Sequence, residues 1–258
     1  MKELSSVHNP QIKQLRRLQD ASGRREQGKF LCEGIRMCRE AVEAGWAREI
    51  LCTSAQARQG QELGQRAGVA PVLVSDAVME SLCTTRTPQG IACVCPLPEM
   101  SRFPEGRLLV ALDGVQDPGN LGTILRTADA AGFAGALLGA GTADPFGPKA
   151  LSATKGSVFR LRMKRCPELA PVLEDCARRG MAVVASELGG EDFYEGLPGG
   201  ATVLVIGSEG NGISPEVSGA CTHHLRLPMP GGAESLNAAV AAGIMIYEIM
   251  RRERTNHA

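Results

Sequence analysis

Apolar residues recur at Ile12, Leu15 and Leu18 beneath a basic face, a three-residue spacing that predicts an amphipathic helix over Asn9–Leu18. A second helix is expected from Glu33 to Ala44, stopping at Gly45. Short apolar runs follow at Glu49–Thr53, Ala70–Val74 and Gly90–Cys95, separated by polar helical stretches at Ser54–Ala67 and Asp76–Leu82. That alternation describes a small α/β unit. Pro96, Pro98, Pro104 and Gly106 then crowd together, and 98–106 reads as an interdomain linker.

Alternation resumes beyond it, with strands predicted at Leu108–Leu112, Gly135–Leu138, Arg160–Met163, Met181–Ala185, Thr202–Ile206 and His224–Leu227. Helices are expected at Leu121–Ala131, Glu168–Arg179 and Leu236–Arg252. This pattern implies a mostly parallel sheet, whose ligands bind beyond the carboxyl ends of the strands. The expected division is therefore a domain at 1–97, the linker, and a domain at 107–258.

Composition narrows the function. The 258 residues are 43% hydrophobic and 22% charged, an ordinary globular balance that excludes disordered and fibrous classes. Aromatics make only 3%, too few both to fill a core and to line a base-stacking surface. No stretch suits a membrane span or the apolar core of a signal peptide, so a soluble cytoplasmic protein is expected. The nine cysteines lack a C-x-x-C pair or a histidine at ligand spacing, so they read as reduced, mostly buried thiols, with no metal expected.

Net charge is zero, but its distribution is uneven. Residues 1–29 hold seven basic and three acidic side chains, 149–165 hold six basic and no acidic ones, and 180–225 hold six acidic and no Lys or Arg. The basic segments, including Lys13, Arg16, Arg17, Arg24, Arg25, Lys149, Lys155 and Arg160, are candidates to contact phosphates, or else are solvated faces.

Three loops lie at predicted strand ends. In the first, after Leu112, Pro118-Gly119 turns the chain and Asn120 is placed to cap the next helix. Arg126 follows among Ile124, Leu125 and Ala128, where it must either form an ion pair or contact an anion. In the second, the apolar strand through Ile206 opens into Gly207-Ser208-Glu209-Gly210-Asn211-Gly212, where missing Cβ atoms let a ligand approach the backbone. In the third, Ser235 or Asn237 can cap the last helix or face a ligand at its positive end. Dinucleotide, P-loop, nucleophile-elbow and metalloprotease signatures are all missing, which disfavours a nicotinamide dehydrogenase among others. His223 and His224 read as surface or packing residues, and His257 lies at the tail.

In order and spacing, these loops resemble the three signature motifs of the SpoU family of RNA 2′-O-ribose methyltransferases. The first resembles motif 1 through Asp117-Pro118-Gly119-Asn120-Leu121-Gly122 and Arg126; the second, motif 2 through Ile206-Gly207-Ser208-Glu209-Gly210 and Gly212. The third resembles motif 3 through Leu227-Pro228-Met229 and Ser235-Leu236-Asn237. The N-terminal hundred residues resemble the family's substrate-binding domain through Asn9-Pro10-x-Ile12-Lys13, Phe30-Leu31-x-Glu33-Gly34 and Thr87-Pro88-Gln89-Gly90. Ser152 and Thr154 stand where relatives often carry Arg and Ser, a departure that bears on the RNA target more than on the reaction.

The resemblance implies an α/β fold: a small α/β RNA-binding domain followed by a methyltransferase domain whose chain threads a deep trefoil knot, an exception to the usual avoidance of knots. It implies S-adenosylmethionine as cofactor, held around Ser186, Leu188, Gly189, Ile206, Gly207, Gly210, Leu227, Met229 and Leu236. Arg126 is implied as the central catalytic residue, with Asn120, Glu209, Ser235 and Asn237 around it. A homodimer whose sites draw on both subunits is implied, with RNA, most naturally ribosomal RNA, as substrate. The alternative is a non-catalytic RNA-binding or ribosome-assembly protein that keeps the fold, against which the intact polar set argues.

Overall fold

The computed structural model describes residues 3–255, so His257 and the first two residues of the chain lie outside it. Asn9 accepts the Gln11 amide at 2.8 Å and Pro10 takes the first helical position, which starts the first helix where its sequence favours it. The chain begins β1 (Glu3–Leu4), α1 (Pro10–Arg16), α2 (Ala21–Gln27), β2 (Lys29–Glu33), α3 (Ile35–Glu43) and β3 (Glu49–Cys52). There follow α4 (Ala57–Ala67), β4 (Val72–Val74), α5 (Asp76–Leu82), β5 (Ile91–Pro96), β6 (Leu108–Asp113) and α6 (Pro118–Ala130). Next come β7 (Gly135–Gly139), α7 (Pro148–Thr154), β8 (Arg162–Cys166), α8 (Leu169–Arg178) and β9 (Ala182–Asp192). The last are α9 (Phe193–Gly196), β10 (Thr202–Gly207), α10 (Pro215–Gly219), β11 (His223–Arg226) and α11 (Ala238–Thr255). The sequence pattern does not anticipate β1, α2, β2, α7, α9 or α10.

Two units emerge: residues up to Glu99 with Asp144–Arg160, and Met100–Ala143 with the residues from Leu161 onward. In the first, five strands run in the order β1-β4-β3-β5-β2, with β5 antiparallel to both neighbours. One face buries Ile12, Leu15 and Leu18 around α1 with Val78, Met79 and Leu82 of α5 against Leu51, Ala92 and Val94. Burying each such aliphatic side chain contributes roughly 1.5–3 kcal/mol. Gly34 has φ +86°, and a Cβ there would lie 2.8 Å from the Gln89 Oε1 that accepts the Ile35 amide. The Phe30–Gly34 and Thr87–Gly90 motifs therefore meet in space.

The segment Asp144–Arg160 belongs to this first unit, not to the second as chain order suggests. Phe146 packs 4.8 Å from Phe30 between ring centroids, and Phe159 stands edge-on 5.5 Å from Trp46. Aromatic burial and edge contacts of this kind outweigh sequence proximity. The expected linker is also partly docked: the Met100 carbonyl accepts the Arg165 amide at 2.9 Å, and Phe103 packs against the core of the second unit.

That second unit holds six strands in the order β11-β9-β10-β6-β7-β8, every neighbouring pair parallel. Leu109, Ala111, Val203 and Val205 meet Leu169 and Leu173 of α8 and Val217 of α10 on one face. The alternate residues Val110, Leu112, Leu204 and Ile206 turn to the other face, where α6 and α11 pack. Strands β6 and β10 are buried almost throughout, as a two-sided parallel sheet requires. Parallel direction brings the carboxyl ends of β6, β10 and β11, and so the three candidate loops, to one edge of the sheet.

Candidate active site

At the end of β6, Asp117 caps α6 by accepting the Asn120 amide at 2.8 Å, with Pro118 at the first helical position. The helix therefore starts three residues before the expected Leu121, and Asn120 is not its cap. That correction matters chemically, because the Asn120 side chain is left available. Its Nδ2 donates to Glu209 Oε1 at 2.8 Å, and its Oδ1 accepts from Asn237 Nδ2 at 3.1 Å. Asn237 in turn accepts the Ala239 and Val240 amides at 3.0 and 3.3 Å, capping α11. One residue from each loop thus joins a single hydrogen-bonded chain.

The second loop is shaped by its glycines. Ser208 and Gly212 exchange backbone hydrogen bonds, and a Cβ on Gly207 would lie 2.1 Å from the Gly212 carbonyl carbon. Gly212 itself has φ +67°, a region open to glycine at no steric cost. Asp113 Oδ2 accepts the Ser214 amide at 2.7 Å and ties this loop to the end of β6.

β9 pairs with β11 in two registers, His223↔Val184 and His224↔Ala185, then Leu225↔Glu191 and Arg226↔Asp192, so residues 186–190 bulge out of the ladder. The bulge, the second loop and the third loop enclose a cleft of about 810 Å³, within the usual range for small-molecule sites. Ser186, Leu188, Ile206, Gly207, Gly210, Leu227, Met229 and Leu236 line it, and Gly189 does not. Glu209, Ser235 and Asn237 also line it, whereas Asn120 reaches it only through its two partners.

Arg126 is placed differently from its sequence neighbourhood. Ile124 and Leu125 are fully buried, while Arg126 lies on the exposed side of α6 and makes no side-chain hydrogen bond or ion pair among the described residues. It is not part of the cleft wall. Sequence reasoning missed Glu187 and Arg226, both of which line the cleft, and His224 Nδ1 holds Glu187 Oε2 at 2.9 Å. Glu187 falls between two residues singled out by the resemblance, but only the bulge reveals its direction.

The basic candidates also separate. Arg24 is 4% exposed and directs its guanidinium to Asp144 at 2.7 Å and to the Leu18 and Gln19 carbonyls, each at 2.8 Å. It is a structural residue, since burial and the engagement of four of its five donors turn it away from a phosphate. Lys13, Arg25 and Lys149 are exposed. Arg17 pairs with Glu26 and Arg160 with Glu40 at the surface, while Arg16 donates to the Val7 carbonyl and Lys155 is half-buried in a left-handed conformation. All nine cysteines are free thiols, eight of them buried.

Glycine-walled backbone, apolar walls at Ile206, Leu227 and Leu236, and carboxylates at Glu187 and Glu209 suit a ligand with an apolar ring and cationic groups. Fold and cleft define a two-unit α/β protein with its ligand site at the carboxyl edge of a parallel sheet. The SpoU rRNA Methylase family model matches residues 107–247, and the MRM3-like substrate binding domain model matches residues 9–93. The chain belongs to the SpoU rRNA methylase family.

It is 35% identical to the 23S rRNA (guanosine(2553)-2′-O)-methyltransferase RlmP of Bacillus subtilis, over 96% of this chain and 99% of that one. The AdoMet-bound rRNA methyltransferase from Sinorhizobium meliloti superposes with a TM-score of 0.84 at 33% identity, covering 97% of each chain. The SpoU methyltransferase AviRb from Streptomyces viridochromogenes, in complex with AdoMet, gives 0.84 at 30% identity, covering 95% of this chain and 98% of that one.

Proposed function

We propose that this protein transfers a methyl group from S-adenosylmethionine to a ribose 2′-hydroxyl of ribosomal RNA. The observation that carries the reading is the Glu209–Asn120–Asn237 hydrogen-bonded chain, two of whose members line a cleft walled by the expected cofactor residues. S-adenosylmethionine, bound there, supplies an electrophilic sulfonium methyl. Ile206, Leu227 and Leu236 offer its adenine apolar walls, and two carboxylates on the cleft wall, Glu187 and Glu209, against the one guanidinium of Arg226, favour a cation.

The chain's own residues supply positioning. Glu209, held by Asn120, presents a carboxylate that orients the incoming hydroxyl, and Ser235 and Asn237 border the same space. A guanidinium offers donors in a rigid fork and no acceptor, so the role of Arg126 is to grip the target phosphate in two-pronged geometry and stabilise charge near the 2′-oxygen. Arg126 stands outside the wall of its own cleft, and in the homodimer proposed here it serves the cleft of the second copy. Val240, Ile244 and Tyr247 form an exposed apolar stripe on α11, 52%, 38% and 47% accessible, which supports a homodimer through that helix.

The first unit, with Lys13, Arg25 and Lys149, binds the RNA backbone. The path from the edge strand β11 back through 227–237 to α11 against β10 supports the knotted course implied by the resemblance. No helix among the described residues is long and apolar enough to cross a membrane, and a ribosomal RNA substrate favours the cytoplasm as the site of action. Calorimetric titration with S-adenosylmethionine, followed by transfer of labelled methyl to ribosomal RNA from a methylation-deficient strain, tests the reading. Binding and transfer are expected; absence of binding favours the non-catalytic alternative.

A further inference from the structure

The first unit contains a second concentration of chemistry, in its core. β2 and β5 pair with Cys32 opposite Cys93, and Cys95, two residues on, returns to the same sheet face. The Cys93 and Cys95 Sγ atoms are 3.9 Å apart, and the sulfurs of Cys32, Cys93 and Cys95 all lie within 4.8 Å of one another. Cys38 on α3 directs its thiol to the Cys32 carbonyl at 3.9 Å, which places it beside this group of three. All four side chains are at most 1% exposed, and none is in a disulfide.

A zinc–sulfur bond of about 2.3 Å puts sulfurs roughly 3.8 Å apart around a tetrahedral ion. The observed spacings are within about an ångström of that, on two hydrogen-bonded strands that fix it. We infer that Cys32, Cys93 and Cys95, with Cys38 as fourth donor, form a structural site for a thiophilic closed-shell cation, namely Zn²⁺.

Thiolate donors select such ions over hard ones. Among them a divalent ion leaves less net negative charge in a buried site than a monovalent one, and burying charge is costly. Binding breaks four S–H bonds and forms four Zn–S bonds; the protons leave to water and no electrons are transferred. Sequence spacing hides the site because 32 and 38 lie far from 93 and 95, and only strand register joins them.

The test uses the full-length protein, refolded from denaturant with and without Zn²⁺ and then dialysed against a weak chelator. Expected are about one zinc per chain, a higher melting temperature than the zinc-free preparation, and intense sulfur-to-metal absorption when Co²⁺ replaces Zn²⁺. Cys95→Ser should lose the zinc and the melting shift, and Cys221→Ser, outside the cluster, should keep both. Protein refolded with Zn²⁺ that retains no metal, or wild-type protein that shows no Co²⁺–sulfur absorption, overturns the inference even if Cys95→Ser fails to fold.

Discussion

Asn120 Nδ2 donates to Glu209 Oε1 at 2.8 Å, joining the first turn of α6 to the glycine loop after β10. The pair can exist only because Asp117, three residues earlier, takes over the helix cap. Replacing Asn120 should therefore spare the helix and injure the site. Asn120→Asp sets two carboxylates together and removes the donor, so the rate of methyl transfer should fall at least about tenfold. Cofactor affinity and melting temperature should stay close to wild type, which calorimetry and thermal denaturation would show.

Arg126→Lys should keep charge and lose two-pronged geometry. Single-turnover methyl transfer is expected to drop by about tenfold or more, with S-adenosylmethionine binding unchanged because the proposed grip is on the RNA phosphate and not on the cofactor. Near wild-type chemistry in this variant would sink the phosphate-grip role.

Gly207→Ala puts a methyl group 2.1 Å from the Gly212 backbone, closer than real Cβ contacts come. The loop must open, and the cleft wall opens with it. Titration should show S-adenosylmethionine affinity falling at least about tenfold, equivalent to about 1.4 kcal/mol.

Two arginines one residue apart should behave oppositely. Arg25 is exposed, so Arg25→Glu should weaken RNA binding and flatten its salt dependence while leaving stability alone. Arg24→Ala removes a buried partner of Asp144 and of two carbonyls and should cost about 3 kcal/mol of stability. Filter binding across a salt series and thermal denaturation separate the two.

In α11, a hydrogen bond from Arg251, then one from Arg252 against the opposing pull of burial, hold the Glu248 carboxyl at about 2, below its usual 4.5. The folded value is depressed, so its stabilising contribution is complete above pH 4.5 and is lost as pH falls toward 2. The melting-temperature difference between wild type and Glu248→Gln should therefore vanish as pH falls through that window.

The three loops were legible because each follows an apolar run that ends in glycine or proline, and parallel strands carry their carboxyl ends to one edge. Roles within the loops were less so. Asn120 and Asp117 are both good capping residues, and only the geometry shows that Asp117 caps while Asn120 reaches Glu209. Arg126 sits among apolar neighbours in sequence, yet helical rotation turns it outward while Ile124 and Leu125 face the core. Residues 144–160 read as part of the second domain until Phe146 and Phe159 are seen against Phe30 and Trp46, contacts over more than a hundred residues of chain. The bulge at 186–190 reads as a loop, because a glycine pair among acidic residues gives no sign that Glu191 and Asp192 pair again with β11.

The central claim is the chemistry of the product. Labelled methyl should be transferred by the wild-type protein to ribosomal RNA lacking native methylation, the RNA digested to nucleosides, and the labelled nucleoside identified. The account predicts label on the 2′-oxygen of one nucleotide, seen as a phosphodiester bond resistant to alkali. Label on a base, or no label from protein that binds S-adenosylmethionine and this RNA, would contradict it.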